Sequence, residues 1–172
     1  MKIIICILLV MFAACNSDRT KYKNIISQWQ HKKIIFPQTL DTLDQDSAWQ
    51  FMLNHKYKIL TIIDTNSCTE CRLKLYEWSK LIHQMDSIKN TSFIFIIHAK
   101  DYSYINMIKK KNSFNYPLFY DYKNKVGELN MFSKEPRFQT FLLNQNNEVI
   151  LIGNPIDNKY LWNLYKQTIM NK

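Results

Sequence analysis

Two glycines in 172 residues, Gly127 and Gly153, are too few for a phosphate-cradling loop. A Walker loop and a dinucleotide-binding fingerprint each need several glycines, so nucleotide chemistry of those kinds is excluded. No His-Glu-x-x-His occurs, which removes that zinc-hydrolase signature. No unit repeats along the chain, and no long low-complexity segment interrupts it. The N-terminal apolar run, Ile3 to Phe12, is shorter than the roughly 20 residues of an ordinary membrane span. Cysteine is scarce too, at four: Cys6, Cys15, Cys68 and Cys71.

What is present argues for a folded domain. Apolar residues make up 47%, with ten Phe, ten Tyr and four Trp, a composition that can fill a core. The length suits one domain plus a tether. Net charge is +9. Lys109-Lys110-Lys111 is the dense basic run. It falls at the end of a predicted helix, where lysines complement the dipole.

The cysteines divide into two groups. Cys6 and Cys15 lie in a start with a positive residue (Lys2), the apolar run, and small residues Ala13-Ala14. That pattern is a secretory signal. Phe12-Ala13-Ala14-Cys15 also resembles a bacterial lipobox, which predicts cleavage before Cys15 and lipidation of its sulfur. Buried acyl chains contribute about 0.8 kcal/mol per CH₂, enough for several chains to anchor the protein. An uncleaved anchor, or secretion with Cys15 as a plain thiol, is the alternative. Export places the chain in the cell envelope, facing the periplasm, and argues against a nucleic-acid partner.

Cys68 and Cys71 then remain as a pair, in a compartment that permits disulfides. They bound Cys68-Thr69-Glu70-Cys71, between an apolar strand pattern (residues 58–64) and a helical pattern from about residue 72. On a first helical turn, positions i and i+3 share a face, so the sulfurs can meet. Unpaired N–H groups and the helix dipole favour a thiolate there, and the thiolate is the attacking species. A disulfide closing so short a loop contributes only roughly 2 kcal/mol on the loop-entropy model, which makes stapling a weak reason for it. Zinc would need two more ligands, and His31, His55, His83 and His98 have no ligand spacing with the cysteines, so no metal is expected. Glu70 opposes a second negative charge beside it, and Lys74 at i+4 offsets that on a continuous helix. A plain acidic residue at a helix start is the other reading of Glu70. His98 reads as a strand-end histidine.

The periodicities predict an ordered series. Residues 16–21 form a tether, 24–31 a short helix and 33–37 a short strand stopped by Pro37. A helix over 47–54 precedes a continuous apolar strand over 56–64, the mark of burial on both faces. The helix after the cysteines carries Leu75, Trp78, Ile82 and Met85 on one side. A second buried strand covers 91–98, and Asp101 caps a helix to Lys111. A short strand over 116–121 and a helix over 124–131 follow. Strands over 138–144 and 148–152 form a hairpin around 145–147. Asp157 caps a last helix with Leu161, Leu164, Tyr165 and Ile169 on one side.

Strand-helix-strand-helix, an inserted strand and helix, then hairpin and helix is the layout of an α/β fold with a mixed central sheet flanked by helices. Over roughly 56–172 the chain resembles thioredoxin-like lipoproteins, similar to membrane-anchored periplasmic thiol-disulfide oxidoreductases. The matching pieces are Ile59-Leu60-Thr61-Ile62-Ile63-Asp64, Ser67-Cys68-Thr69-Glu70-Cys71, Tyr116-Pro117-Leu118-Phe119-Tyr120-Asp121 and Gln139-Thr140-Phe141-Leu142-Leu143-Asn144. The resemblance implies residues 1–14 as lipoprotein signal peptide, 15–46 as tether and extension, and 47–172 as a thioredoxin-like domain. It implies Cys68 as nucleophile, Cys71 as resolving thiol and Cys15 as the lipidated residue. Partners would be protein thiols or disulfides, and electrons would come from another protein, since no cofactor motif is present.

Three positions differ from that family's usual pattern. Ser67 stands where an aromatic residue is usual, and Thr69-Glu70 where glycine or proline is common. The proline that ordinarily precedes the hairpin and lies against the sulfurs aligns with Phe138, while Pro136 falls two residues early. Residues 135–138 are thus expected beside the cysteines, with Phe138 covering the sulfurs and, with Glu70, tuning the redox pair. The alternative to an oxidoreductase is a redox-inactive thioredoxin-like binding module.

Overall fold

In the computed structural model, residues 19–38, 40, 46–64, 69–86, 88, 90–156 and 158–171 are described. Helix α1 covers 19–29 within them, and α2 is Asp46–Leu53. The strands are β1 (Tyr57–Asp64), β2 (Thr91–His98), β3 (Phe119–Tyr120), β4 (Thr140–Leu143) and β5 (Val149–Ile152). The remaining helices are α3 (Thr69–Leu73), α4 (Leu75–His83), α5 (Tyr102–Lys111), α6 (Lys125–Asn130) and α7 (Lys159–Met170).

The five strands pair in the order β3-β2-β1-β4-β5. β1, β2 and β3 are parallel, each joined to the next by the helical crossover that parallel pairing needs; β4 pairs antiparallel with β1, and β5 antiparallel with β4. This is the mixed sheet read from the element order, including the inserted β3 and α6 before the hairpin. β1 and β2 are in register from Tyr57↔Thr91 to Asp64↔His98. The carboxyl ends of the two central strands therefore lie side by side.

Alternation along the strands divides the core into two layers. Ile59, Ile63, Phe93, Phe95 and Leu142 face one side, against Trp78 of α4, Ile105 of α5 and Tyr165 of α7. Leu60, Ile94, Phe141 and Leu143 face the other, against Trp29 of α1, Trp49 of α2 and Val126 of α6. Covering both faces explains why β1 and β2 are continuous apolar runs. The N-terminal extension belongs to the second layer. Trp29 and Ile34 are buried, and the Lys33 backbone forms an isolated antiparallel β-bridge with that of Glu148.

The expected cap of α5 at Asp101 holds, its side chain accepting from the Tyr104 N–H at 3.1 Å. A contact not expected from the sequence starts α6: Asp121, buried just after β3, accepts from the N–H groups of Lys125 (2.8 Å) and Val126 (2.8 Å). Other local expectations need correction. The cap of α7 is Asn158, accepting from the Leu161 N–H at 3.0 Å, while Asp157 lies outside the described residues. Trp162 rather than Leu164 joins Tyr165 and Ile169 in the buried face of α7. β4 begins at Thr140, not 138, because Pro136–Phe138 form a 3-10 turn. The segment after the cysteines is two helices, not one. Lys74 takes a left-handed conformation (φ 42°, ψ 43°) and breaks it, a state disfavoured for a residue with a Cβ. No helix among the described residues is long and apolar enough to cross a membrane.

Candidate functional site

The site assembles where β1 ends. α3 carries Thr69, Glu70, Cys71 and Arg72 beyond that end. Cys71 is solvent-exposed and disulfide-bonded. Cys68 and residues 65–67 lie outside the described residues, as does Cys15. Cys71 lines a cleft of about 410 Å³ together with Arg72, Lys74, Pro136, Arg137 and Gln139. The loop before the hairpin thus faces the cysteine helix, as expected from strand adjacency: β4 is the antiparallel neighbour of β1.

The residue of that loop that meets the helix is not Phe138. Phe138 is buried, but its ring packs on Tyr22 of α1 with centroids 5.4 Å apart, and it does not line the Cys71 cleft. Gln139 takes the place directly before β4. Its carbonyl accepts from the Ile62 N–H at 2.8 Å, which continues the β1–β4 ladder by one residue. Its side chain accepts from the Arg72 guanidinium at 2.7 Å and donates to the Ser133 carbonyl at 2.9 Å. The one-residue difference arises from the 3-10 turn, which rotates Phe138 toward α1. A residue immediately preceding the first paired residue of β4 was the signal available in the sequence; the strand boundary concealed it. The peptide bonds of this loop are trans.

Glu70 is exposed, and its carboxylate accepts from the Lys111 Nζ at 3.0 Å. The hydrogen bond to Glu70, and then its charge, hold the Lys111 ammonium above the usual lysine range. The basic run at the end of α5 therefore has a specific task at its last residue: it reaches the helix that carries Cys71. The left-handed turn at Lys74 ends the continuous helix on which the Glu70–Lys74 spacing was counted.

Positive charge gathers on one side of Cys71. Arg72, Lys74 and Arg137 line the cleft of about 410 Å³, where no carboxylate does so among the described residues, while Glu70 and Glu77 lie in a separate cleft that Cys71 also borders. α3 spans only five residues, so little macrodipole is available there, and the side-chain cations of the first cleft add positive potential on its side of Cys71. Arg137 is held from two sides. Its Nε donates to Glu135 at 3.0 Å, and its guanidinium lies 4.6 Å from the Tyr22 ring centroid. Beyond the Arg72–Gln139 contact lies a second cavity of about 380 Å³, lined by Asp64, His98, Asn124, Met131 and Lys134 as well as those two residues. His98 sits there as a strand-end residue with Nδ1 2.9 Å from the Asp121 carbonyl. Among the described residues no group of three or more His, Cys, Asp or Glu is placed to hold a metal ion.

No protein-family model matches this chain, and no curated protein sequence does. Solved structures do. StoA from Bacillus subtilis superposes with a TM-score of 0.51 at 18% identity, covering 67% of this chain and 84% of that one. A thiol:disulfide interchange protein from Bacteroides sp. gives 0.51 at 13% identity, with coverage of 70% and 76%. The thioredoxin domain of a thiol-disulfide oxidoreductase from Bacteroides vulgatus gives 0.50 at 13% identity, with coverage of 68% and 81%. These likenesses establish the thioredoxin-like fold.

Proposed function

We propose that this chain is a lipid-anchored thiol-disulfide oxidoreductase of the cell envelope, with Cys68 and Cys71 as its redox pair. The observation that carries the reading is Cys71 itself. It is exposed, disulfide-bonded, and set on the helix after the central strand of a thioredoxin-like fold. Of the other three cysteines, Cys68 is three residues away, while Cys6 and Cys15 belong to the signal and lipobox pattern. Two of the structures sharing the fold are named for thiol-disulfide chemistry.

In the reaction, the Cys68 thiolate attacks one sulfur of a partner disulfide. A mixed disulfide forms, and the partner's other sulfur leaves as a thiolate. The Cys71 thiolate then attacks the Cys68 sulfur, forming Cys68–Cys71 and releasing the partner's second thiolate. The partner gains two electrons and two protons, and this chain loses them. A second protein dithiol restores the pair. Arg72, Lys74 and Arg137 favour the thiolate states, and Lys111 offsets the Glu70 charge that opposes them.

The test is trapping. Cys71→Ser should accumulate mixed disulfides with partner proteins, visible on non-reducing gels and lost on adding dithiothreitol; Cys68→Ser should not. Absence of adducts from both variants would sink the exchange reading. A redox-inactive binding module is the second reading. Gln139 supports it, because its side chain occupies the position before β4 where the related fold ordinarily places a proline against the sulfurs. The anchor is tested separately. Cys15→Ala should move the protein from the membrane fraction to the soluble one or block its processing, and an unmodified Cys15 in the mass of the native protein would exclude lipidation.

A further inference from the structure

We propose that the Cys71 cleft selects acidic polypeptide segments, so that the partner's reactive disulfide is flanked by Asp or Glu. The inference rests on the exchange reading above and adds the chemistry of the substrate. Its basis is the lining of the cleft. Arg72, Lys74 and Arg137 line it with Cys71, and among the described residues no carboxylate shares that wall; Glu70 and Glu77 lie in a separate cleft on the other side of Cys71.

Two of these cations are fixed in place before any partner arrives. Arg72 is half-buried, and its guanidinium is bonded to Gln139, which is itself buried and tied to the Ser133 carbonyl and the Ile62 N–H. Arg137 is fixed by Glu135 at its Nε and by the face of the Tyr22 ring, and 58% of its side-chain surface still meets solvent. A guanidinium held in one orientation loses little rotamer freedom on binding, and its planar donors match a carboxylate. Glu135 offsets part of the Arg137 charge, but it does not line the cleft. The remaining wall is uncharged, with hydrogen-bonding Thr61, Asn154 and Asn158 beside apolar Ile62, Ile63 and Ile156. An extended segment laid in this cleft meets the Arg72 and Arg137 guanidinium groups beside Cys71, on the side away from Glu70 and Glu77. Lysine or arginine at the same places would meet like charge, which costs encounter rate as well as affinity. The net charge of the whole chain, +9, adds long-range attraction of the same sign.

The experiment uses three short peptides, alike except for the residues flanking one cysteine: Asp/Glu, Asn/Gln or Lys/Arg. Each cysteine is joined by a disulfide to thionitrobenzoate, whose release is coloured. The reduced protein attacks the mixed disulfide, its two thiols become a disulfide, and peptide thiol and thionitrobenzoate are released. The expected order of rates is acidic, neutral, basic, spanning roughly tenfold at low salt and narrowing as salt rises. In Arg72→Met/Arg137→Met the ratio of acidic to neutral rates should fall toward one; Arg137→Lys should restore part of it. Equal rates for the three peptides, or a preference that survives the double substitution, would overturn the proposal. Binding of cysteine-free versions of the same peptides to the oxidised protein, followed by fluorescence anisotropy, separates the two claims. Tighter binding of the acidic peptide without any thionitrobenzoate release supports the selectivity and sinks the exchange reading. Release without discrimination, in rate and in binding, does the opposite.

Discussion

Lys58 offers the sharpest quantitative test of the packing. It lies in β1 on the face covered by α2, with no surface exposed to solvent. Its Nζ donates to three carbonyls: Leu53 at 3.2 Å, His55 at 3.1 Å and Gln145 at 3.1 Å. These satisfy the three protons of an ammonium. Leu53 ends α2, so the charge also sits at the negative end of a helix dipole. Burial still wins: desolvation lowers its pKa from 10.5 to about 8. The sign follows from proton counting. Below pH 8 both folded and unfolded chains carry the proton, and the folded chain bears the full cost of burying it. Between about pH 8 and pH 10.5 the unfolded chain still binds the proton while the folded one has lost it. Stability therefore rises with pH through that window. At 1.36 kcal/mol per pH unit, the gap corresponds to roughly 3 kcal/mol in all, of which about 2 kcal/mol should appear between about pH 7 and pH 9.5. Urea unfolding at a series of pH values, on the wild type and on Lys58→Met, isolates the contribution, because other titrating groups cancel in the difference. The expected result is a wild-type curve that gains about 2 kcal/mol on the variant over that range. Parallel curves would refute the claim that a desolvated ammonium sits there.

Two further predictions concern the site helix and the core. Lys111→Met should shift the pH profile of thiol alkylation to higher pH and slow alkylation near neutrality by roughly twofold, a small effect because the Glu70 pair is exposed; in a Glu70→Gln background the substitution should change nothing. Trp78→Ala removes a fully buried indole that packs on Phe95 at 5.3 Å, and should cost about 3–5 kcal/mol, lowering the thermal midpoint by roughly 6–20 °C in a circular-dichroism melt. A loss of only a degree or two would show that this layer of the core is not closely packed.

How much of the fold was legible in the chain differs from element to element. β1 and β2 were readable because both are covered on both faces, and burial on both faces leaves a continuous apolar run in the sequence. The Asp101 cap was readable because capping is a contact between residues three apart. From the order of such elements the mixed sheet followed, since strands separated by helices have the crossover that parallel pairing needs and a short loop joins only antiparallel strands. The Cys68-Thr69-Glu70-Cys71 spacing marked the chemistry before any contact was known. The partners around it were decided by tertiary structure alone. Lys111 is 41 residues from Glu70 and Gln139 is 67 from Arg72, so no periodicity joins them. The break at Lys74 could not be read, because nothing in a lysine announces a left-handed backbone. The choice of Gln139 over Phe138 turned on a 3-10 turn that moves the start of β4, and a shift of one residue sends a side chain to the opposite face. Local interactions fix elements from sequence, whereas pairings across the fold depend on where the packed core brings distant segments together.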